Sequence, residues 1–275
     1  IARIESVLPQ PLGAPNWSQS IAWRYRKRSS GHGTLEPVRH VASMQLADLK
    51  EIDGQKEKIE RNTLQFVQGK TANNVLLTGA RGTGKSSLVK AGLQAHADQG
   101  LRLIEVDKAD MIDLPDLIEL VSDRPERFII FCDDLSFDDG EPGYKALKSI
   151  LDGTVSASGD NVMIIATSNR RHLLPEYHSD NSTYKHTADG ELHPGEAVEE
   201  KISLSERFGL WLSFYPFSQD EYLKVVNHWL AEFGVPPAAV AGARGEALQW
   251  ALLRGSRSGR VAWQFARDWA GKHAR

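Results

Sequence analysis

The chain has 275 residues, 41% of them hydrophobic and 25% charged, a balance that excludes general disorder and leaves room for one sizeable core and a smaller domain. With 33 basic against 36 acidic side chains the formal charge is -3, which excludes a global electrostatic pull toward nucleic acid or an anionic membrane. A single cysteine, Cys132, excludes an internal disulfide, and no run approaches the about 20 apolar residues of a membrane span, so the expected location is cytoplasmic. The first residue is Ile rather than Met, as in a fragment whose leading segment is out of view.

Residues 1–40 mix prolines and glycines with a basic-aromatic patch, Trp23-Arg24-Tyr25-Arg26-Lys27-Arg28, and show no clean helical or strand period. They are expected to form an arm or a small N-terminal element. The patch could stack bases and meet phosphates, but such a run more often forms a solvated face. From Val41 to Val67 the apolar positions Leu46, Leu49, Ile52, Ile59, Leu64, Phe66 and Val67 predict helices broken at Asp53-Gly54. Strands are predicted over Val75 to Thr78, Leu101 to Val106, Phe128 to Cys132, Val162 to Ala166 and Leu210 to Phe214. Between them, Ser86 to Ala97 and Tyr144 to Leu151 read as helices, and Asp113-Leu114-Pro115-Asp116 reads as a helix start.

Runs apolar at successive positions suit strands covered on both faces, so residues 41–216 are expected to form a doubly wound α/β domain on a parallel five-stranded sheet. Residues 176–200, rich in Ser, Asp, His, Gly and Glu, read as a long loop inserted before the last strand. Its His178, His186 and His193 with Asp180 and Asp189 match no familiar metal spacing. After Pro216 only helical patterns remain. Ser218-Gln219-Asp220-Glu221 is a capping box opening a helix to about Phe233, and further patterns run around Glu246 to Arg254 and Val261 to Ala270. Residues 217–275 are therefore expected to form a small all-helical lid domain.

The strongest local signal is Gly79-Ala80-Arg81-Gly82-Thr83-Gly84-Lys85-Ser86, a P-loop spelling between a predicted strand and a predicted helix. Its glycines let successive N–H groups point into one concavity at a helix N-terminus, where a polyphosphate is the natural occupant. Lys85 is expected to reach the β- and γ-phosphates and Ser86 to ligate Mg2+, with the binding loop extending to Ser87. Phe128 to Asp134 is a hydrophobic strand ending in two carboxylates, the form of a Walker B element. Ligands of a parallel sheet gather at the carboxyl ends of its strands, so these acids are expected beside the P-loop. There Asp133 would hold the metal shell and Asp134 would polarise an attacking water. Cys132, inside this strand, reads as a small buried hydrophobe.

The order of these parts resembles the AAA+ ATPases, from about Val41 to the C-terminus. Within them it is most similar to an uncharacterised bacterial family of predicted ATP-binding proteins, on the segments Asn73 to Leu77, Gly84 to Lys90 and Leu204 to Leu210. The resemblance implies ATP as the nucleotide, with the adenine near Leu49 to Gly54 and the lid. It also implies that Asn169, ending Ile164-Ile165-Ala166-Thr167-Ser168-Asn169, serves as sensor 1 beside the γ-phosphate. By the same resemblance Arg207, in Ser205-Glu206-Arg207-Phe208, is an arginine finger supplied to a neighbouring subunit, with Arg170 or Arg171 as substitutes. Arg260, after the Gly-rich break Gly255 to Gly259, is sensor 2 acting from the same chain, with Arg257 as its alternative.

One departure matters. The family pattern ends Walker B in Asp-Glu, whereas this chain has Asp133-Asp134, so the expected base is one methylene shorter. The leading expectation is an oligomeric, Mg-dependent ATPase acting on a macromolecular client. The alternatives are an ATP-gated adaptor with little turnover and a P-loop kinase.

Overall fold

The computed structural model describes residues 12–27, 33–41, 43–137, 141–153, 160–170, 185–186, 192–193 and 204–273. In chain order the strands are Ala22–Lys27 (β1), Gly33–Pro37 (β2), Val75–Gly79 (β3), Leu101–Val106 (β4), Arg127–Cys132 (β5), Val162–Ser168 (β6), Lys185–His186 (β7), Leu192–His193 (β8) and Leu210–Phe214 (β9). The helices are Asp53–Val67 (α1), Lys85–His96 (α2), Leu114–Ser122 (α3), Pro142–Asp152 (α4), Gln219–Glu232 (α5), Pro237–Leu253 (α6) and Gly259–His273 (α7).

Side-chain alternation along the buried strands feeds two separate cores, one on each face of the sheet. Val75, Leu77, Leu103, Ile129, Phe131, Ile165 and Leu212 point to one face, where they meet Ile59 and Phe66 of α1 and Leu88 of α2. Leu76, Ile104, Phe128, Ile130, Cys132 and Ile164 point to the other, against Leu117 and Val121 of α3 and Leu147 of α4. This is why the runs are apolar at consecutive positions. The strand order is β2-β1-β4-β5-β6-β3-β9, with every pair from β1 to β9 parallel and only β2 antiparallel.

The five expected parallel strands are present, and the N-terminal residues correct the expectation by adding two more. The basic-aromatic patch is not a solvated face: Trp23 to Lys27 belong to the strand β1, and Arg28 lies outside the described residues. Trp23 is 1% exposed and Tyr25 3%, both packed with Trp17 in the second core, so their rings offer no stacking platform to bases. The intervening Arg24 turns to the opposite side and pairs with Glu105 of β4 at 2.8 Å. Alternation was present in this patch, hidden by cations that find carboxylates on the neighbouring elements.

Other boundaries shift for local reasons. Asp53-Gly54 does not break two helices; a 3-10 turn at Leu46–Asp48 precedes, and α1 begins at Asp53 itself. Pro237 starts α6 nine residues before Glu246, because proline suits the first helical turn, where its missing N–H is not needed. Within the expected long loop, β7 and β8 pair antiparallel. The rest of 176–200, with His178, Asp180 and Asp189, lies outside the described residues.

The capping box at Ser218 is formed: its hydroxyl accepts from Glu221 N–H and the Glu221 carboxylate accepts from Ser218 N–H. In the helical region, Ala243, Ala247 and Ala251 of α6 let it approach Phe265 and Ala266 of α7, while the buried Tyr222 hydroxyl donates to Ala247 O at 3.1 Å. Burying a side chain such as Phe265, 2% exposed, contributes about 1.5–3 kcal/mol. These helices share one apolar cluster with the sheet face that carries α1 and α2, which seats them against the P-loop side of the molecule. No helix among the described residues is long and apolar enough to cross a membrane.

Candidate functional site

The chain turn after β3 is held by the neighbouring strand. Gly79 has φ 124°, and a Cβ there would lie 1.9 Å from Phe214 O, the carbonyl that accepts from Ala80 N–H at 3.2 Å. Only glycine permits that approach. Gly82, with φ 75°, is met from the helical region: a Cβ there would lie 2.9 Å from Ser258 Oγ and 3.1 Å from Arg260 Cβ, and Arg260 N–H donates to Gly82 O at 3.2 Å. The P-loop is thus clamped between β9 on one side and the start of α7 on the other.

A cavity of about 590 Å3 opens over this loop, a size suited to a nucleotide. Arg81, Gly82, Thr83, Gly84, Lys85, Ser86 and Ser87 form its floor. Asp133, Asp134, Thr167 and Asn169 enter from the carboxyl ends of β5 and β6, and Arg260 enters from α7. Gly79 and Ala80, expected in the binding loop, do not line the cavity; their carbonyls hold the Lys85 ammonium.

The Lys85 ammonium donates to Gly79 O at 2.7 Å, Ala80 O at 2.8 Å and Asn169 Oδ1 at 3.1 Å. Lys85 is only 6% exposed, and burial pushes its pKa below the ordinary lysine value, opposed by the nearby Asp134 and Asp133. A cation held this way, by loop carbonyls at a helix N-terminus, is a receptor for an anion. The second carboxylate, Asp134, has φ 51°; its Oδ1 accepts from the Asn169 amide and its Oδ2 lies 3.9 Å from the Arg81 guanidinium. Asn169 therefore links the P-loop lysine to the end of β5, accepting from one and donating to the other.

Ser86 Oγ donates to Asp133 Oδ1 at 2.6 Å. A hydroxyl and a carboxylate brought together beside a polyphosphate cradle are hard oxygen donors of the kind Mg2+ uses when substrate phosphates complete its shell. The residues present fit that ion. Thr167, absent from the sequence-based expectations, organises the pair of acids: its hydroxyl donates to Asp133 Oδ1 at 2.6 Å and accepts from Asp134 N–H at 2.9 Å. Its only sequence signal was its place two residues before Asn169 at the end of a buried strand.

Arg207 lies outside the cavity, following Leu204 and Ser205 and paired with Asp152 at the end of α4. Arg257 also stays outside; its carbonyl accepts from Phe217 N–H at 3.1 Å. Arg170 is exposed beyond β6, and Arg171 lies outside the described residues. Two indoles that the sequence reading passed over, Trp229 of α5 and Trp263 of α7, line the cavity, as do Asp48, Leu49 and Ile52.

Solved structures resemble the fold that carries this site. A variant of Thermotoga maritima RuvB superposes over 81% of the chain with a TM-score of 0.53 and 14% identity, and the chain spans 63% of that RuvB's length. The FIGL-1 AAA domain in complex with ADP matches over 84% of the chain and 74% of its own, with a TM-score of 0.52 and 17% identity. The Aeropyrum pernix ORC1 protein in complex with DNA matches over 78% of the chain and 58% of its own, with a TM-score of 0.50 and 15% identity. No curated protein sequence matches the chain. The fold is that of the AAA+ ATPases, and since the family described as "Protein of unknown function (DUF815)" matches residues 18–273, the chain belongs to it.

Proposed function

We propose that the chain binds ATP in the cavity over the P-loop and hydrolyses it, using the cycle to act on a macromolecular client. The observation that carries this reading is the linked set Lys85, Asn169 and Asp134 beneath the loop, with Ser86 and Asp133 joined beside it. In this reading residues 41–216 are the nucleotide-binding domain, 217–275 the lid, and 1–40 a small N-terminal element whose strands β1 and β2 extend the sheet.

Each residue has a chemical task. The P-loop amides from Gly79 to Ser87 and the Lys85 ammonium bind the phosphates, and Arg260, fixed by its backbone to Gly82, carries lid position to the same end of the cavity. Ser86 and Asp133 would hold Mg2+, which when bound neutralises charge developing on the phosphoryl oxygens. Asp134 accepts a proton from the water whose oxygen attacks the γ-phosphorus as the bond to the bridging oxygen breaks, and Asn169 orients that water against Asp134. Arg207, outside its own chain's cavity and paired with Asp152, would exchange that carboxylate for the γ-phosphate of a second copy's site. A guanidinium supplied to the transition state in this way contributes about 10³- to 10⁵-fold in rate.

A second reading, an ATP-gated adaptor with little turnover, is favoured by one observation: Asp134 is shorter than a glutamate and its carboxylate already engages Asn169 and faces Arg81. Phosphate release measured over a series of protein concentrations, alone and with Arg207→Ala subunits mixed in, tests the first reading. Turnover per subunit should rise with concentration and fall with the mixed subunits. Turnover indifferent to both overturns the shared site, and ATP-driven assembly without turnover, unchanged in Asp134→Asn, selects the adaptor.

A further inference from the structure

The turn that joins α6 to α7 is exposed throughout and apolar where it begins. Leu252 is 81% exposed and Leu253 85%, side by side at the end of α6, and every residue from Leu252 to Arg257 is exposed. A lone exposed leucine is ordinary; two adjacent ones at a helix end, followed by two arginines, mark a contact surface. The Arg254 guanidinium lies over the Trp250 ring at 5.2 Å from its centroid, which holds it to its own helix. Arg257 has no ion-pair partner among the described residues. Its backbone is nevertheless fixed: Gly255, with φ 64°, closes α6, and Arg257 O accepts from Phe217 N–H at 3.1 Å. Arg260, three residues later, lines the cavity, so Arg257 stands within about 11 Å of the cavity wall.

Arg207 poses the complementary problem. Within one chain it is paired with Asp152, the last residue of α4. When Arg207 turns to the γ-phosphate of a second copy, Asp152 loses its cation as the two copies close around it. A carboxylate enclosed in an interface without a partner is strongly unfavourable. The second copy therefore has to supply a cation, and has to supply it beside the cavity that Arg207 enters. Arg257 is an unpaired guanidinium at that place. The half-buried Leu151, next to Asp152, offers apolar ground for the two leucines, and the exposed Glu206, next to Arg207, adds a second carboxylate.

We propose that the α6–α7 turn docks on the Arg207 face of a second copy of this chain: Leu252 and Leu253 cover Leu151, and Arg257 takes the Asp152 carboxylate that Arg207 gives up, with Glu206 at its edge. The inference rests on the reading of the cavity as a site shared between copies and adds the surface that joins them. The contact is head to tail, since the lid turn of one copy meets a different face of the next, and it repeats from copy to copy. It also bears on the phosphate loop, because the docking segment continues into Ser258 and Arg260, which meet Gly82.

Sedimentation velocity of the full chain with Mg2+ and the non-hydrolysed analogue adenylyl imidodiphosphate, over a range of protein concentrations, tests the proposal. Wild type should assemble. Leu252→Asp combined with Leu253→Asp, Arg257→Glu alone, and Asp152→Arg alone should each raise the concentration needed by about tenfold or more. Arg257→Glu and Asp152→Arg together in one chain should restore assembly to within about threefold of wild type, which two merely destabilising changes do not do. Each variant should bind the analogue as wild type does in dilute solution, since none of the four residues lines the cavity. Wild-type assembly in both the leucine variant and Arg257→Glu, or a charge-swapped chain no better than its worse parent, overturns the inference alone. So does a closed dimer, the product of two lid turns meeting each other. Wild type that binds the analogue and stays monomeric overturns the shared site and this inference with it, and failure to bind the analogue overturns the nucleotide reading itself.

Discussion

Replacing Thr167 by valine keeps the shape of a side chain that is 1% exposed and removes its hydroxyl. Two hydrogen bonds are lost: the donation to Asp133 Oδ1 at 2.6 Å and the acceptance from Asp134 N–H at 2.9 Å. The first is to a charged group, for which about 1.5–3 kcal/mol is typical, and the second is neutral, at about 1 kcal/mol. Both partners keep alternatives, since Asp133 Oδ1 still accepts from Ser86 at 2.6 Å and from Asp134 N–H at 3.2 Å. The net loss should therefore be near 2 kcal/mol, or about 4 °C in the thermal midpoint for a chain of this size. Because Thr167 fixes both acids and touches no P-loop group, kcat for ATP should fall about tenfold, which corresponds to about 1.4 kcal/mol, while KM stays within about twofold. Differential scanning calorimetry and steady-state phosphate release measure the two effects. Wild-type stability and turnover in Thr167→Val, or a raised KM with unchanged kcat, would refute the reasoning.

Three further outcomes follow from the same geometry. Gly79→Ala places a methyl group 1.9 Å from Phe214 O at φ 124°, so urea unfolding should show a loss above about 4 kcal/mol or no folded protein; a wild-type midpoint contradicts this. Burial holds Lys85 below its ordinary pKa of 10.5, so between its native value and 10.5 the unfolded chain binds more protons than the folded one and wild type gains stability as pH rises. Lys85→Met lacks that contribution, so the stability difference, wild type minus variant, should climb through the alkaline limb; a flat or falling difference contradicts the buried ammonium. Cys132 is 1% exposed, and burial, aided by Asp133, pushes its thiol up to about 12. A disulfide-exchange reagent at mildly alkaline pH should leave it intact until the protein is unfolded, and stoichiometric reaction of the native chain contradicts its place in the strand.

What the sequence made legible follows from the range of the interactions involved. Strands β4 and β9 coincide with the expected runs because their apolar residues are dense enough to show, although Arg102 and Glu105 interrupt β4 and the exposed Ser213 interrupts the edge strand β9. The P-loop, Asp133, Asp134, Asn169 and Arg260 fall around one cavity because strand ends and a helix start gather there. Long-range partners were not legible. Arg24 reads as solvated until Glu105, 81 residues away, is seen to pair with it. Thr167 reads as an ordinary strand residue until its hydroxyl is placed between the two acids of the turn after β5. Trp263, which lines the cavity, could have been found from its spacing to Arg260 on the same helix.

The central claim, that the cavity over the P-loop is an ATP site held by the Lys85 ammonium, is tested most directly by isothermal titration of ATP with Mg2+ into wild type and Lys85→Ala. Wild type should bind one ATP per chain, and the variant, losing the cation that Gly79 O, Ala80 O and Asn169 Oδ1 hold in place, should bind at least about 100-fold more weakly. Equal affinity in the two proteins, or no heat of ATP binding in wild type, would contradict it.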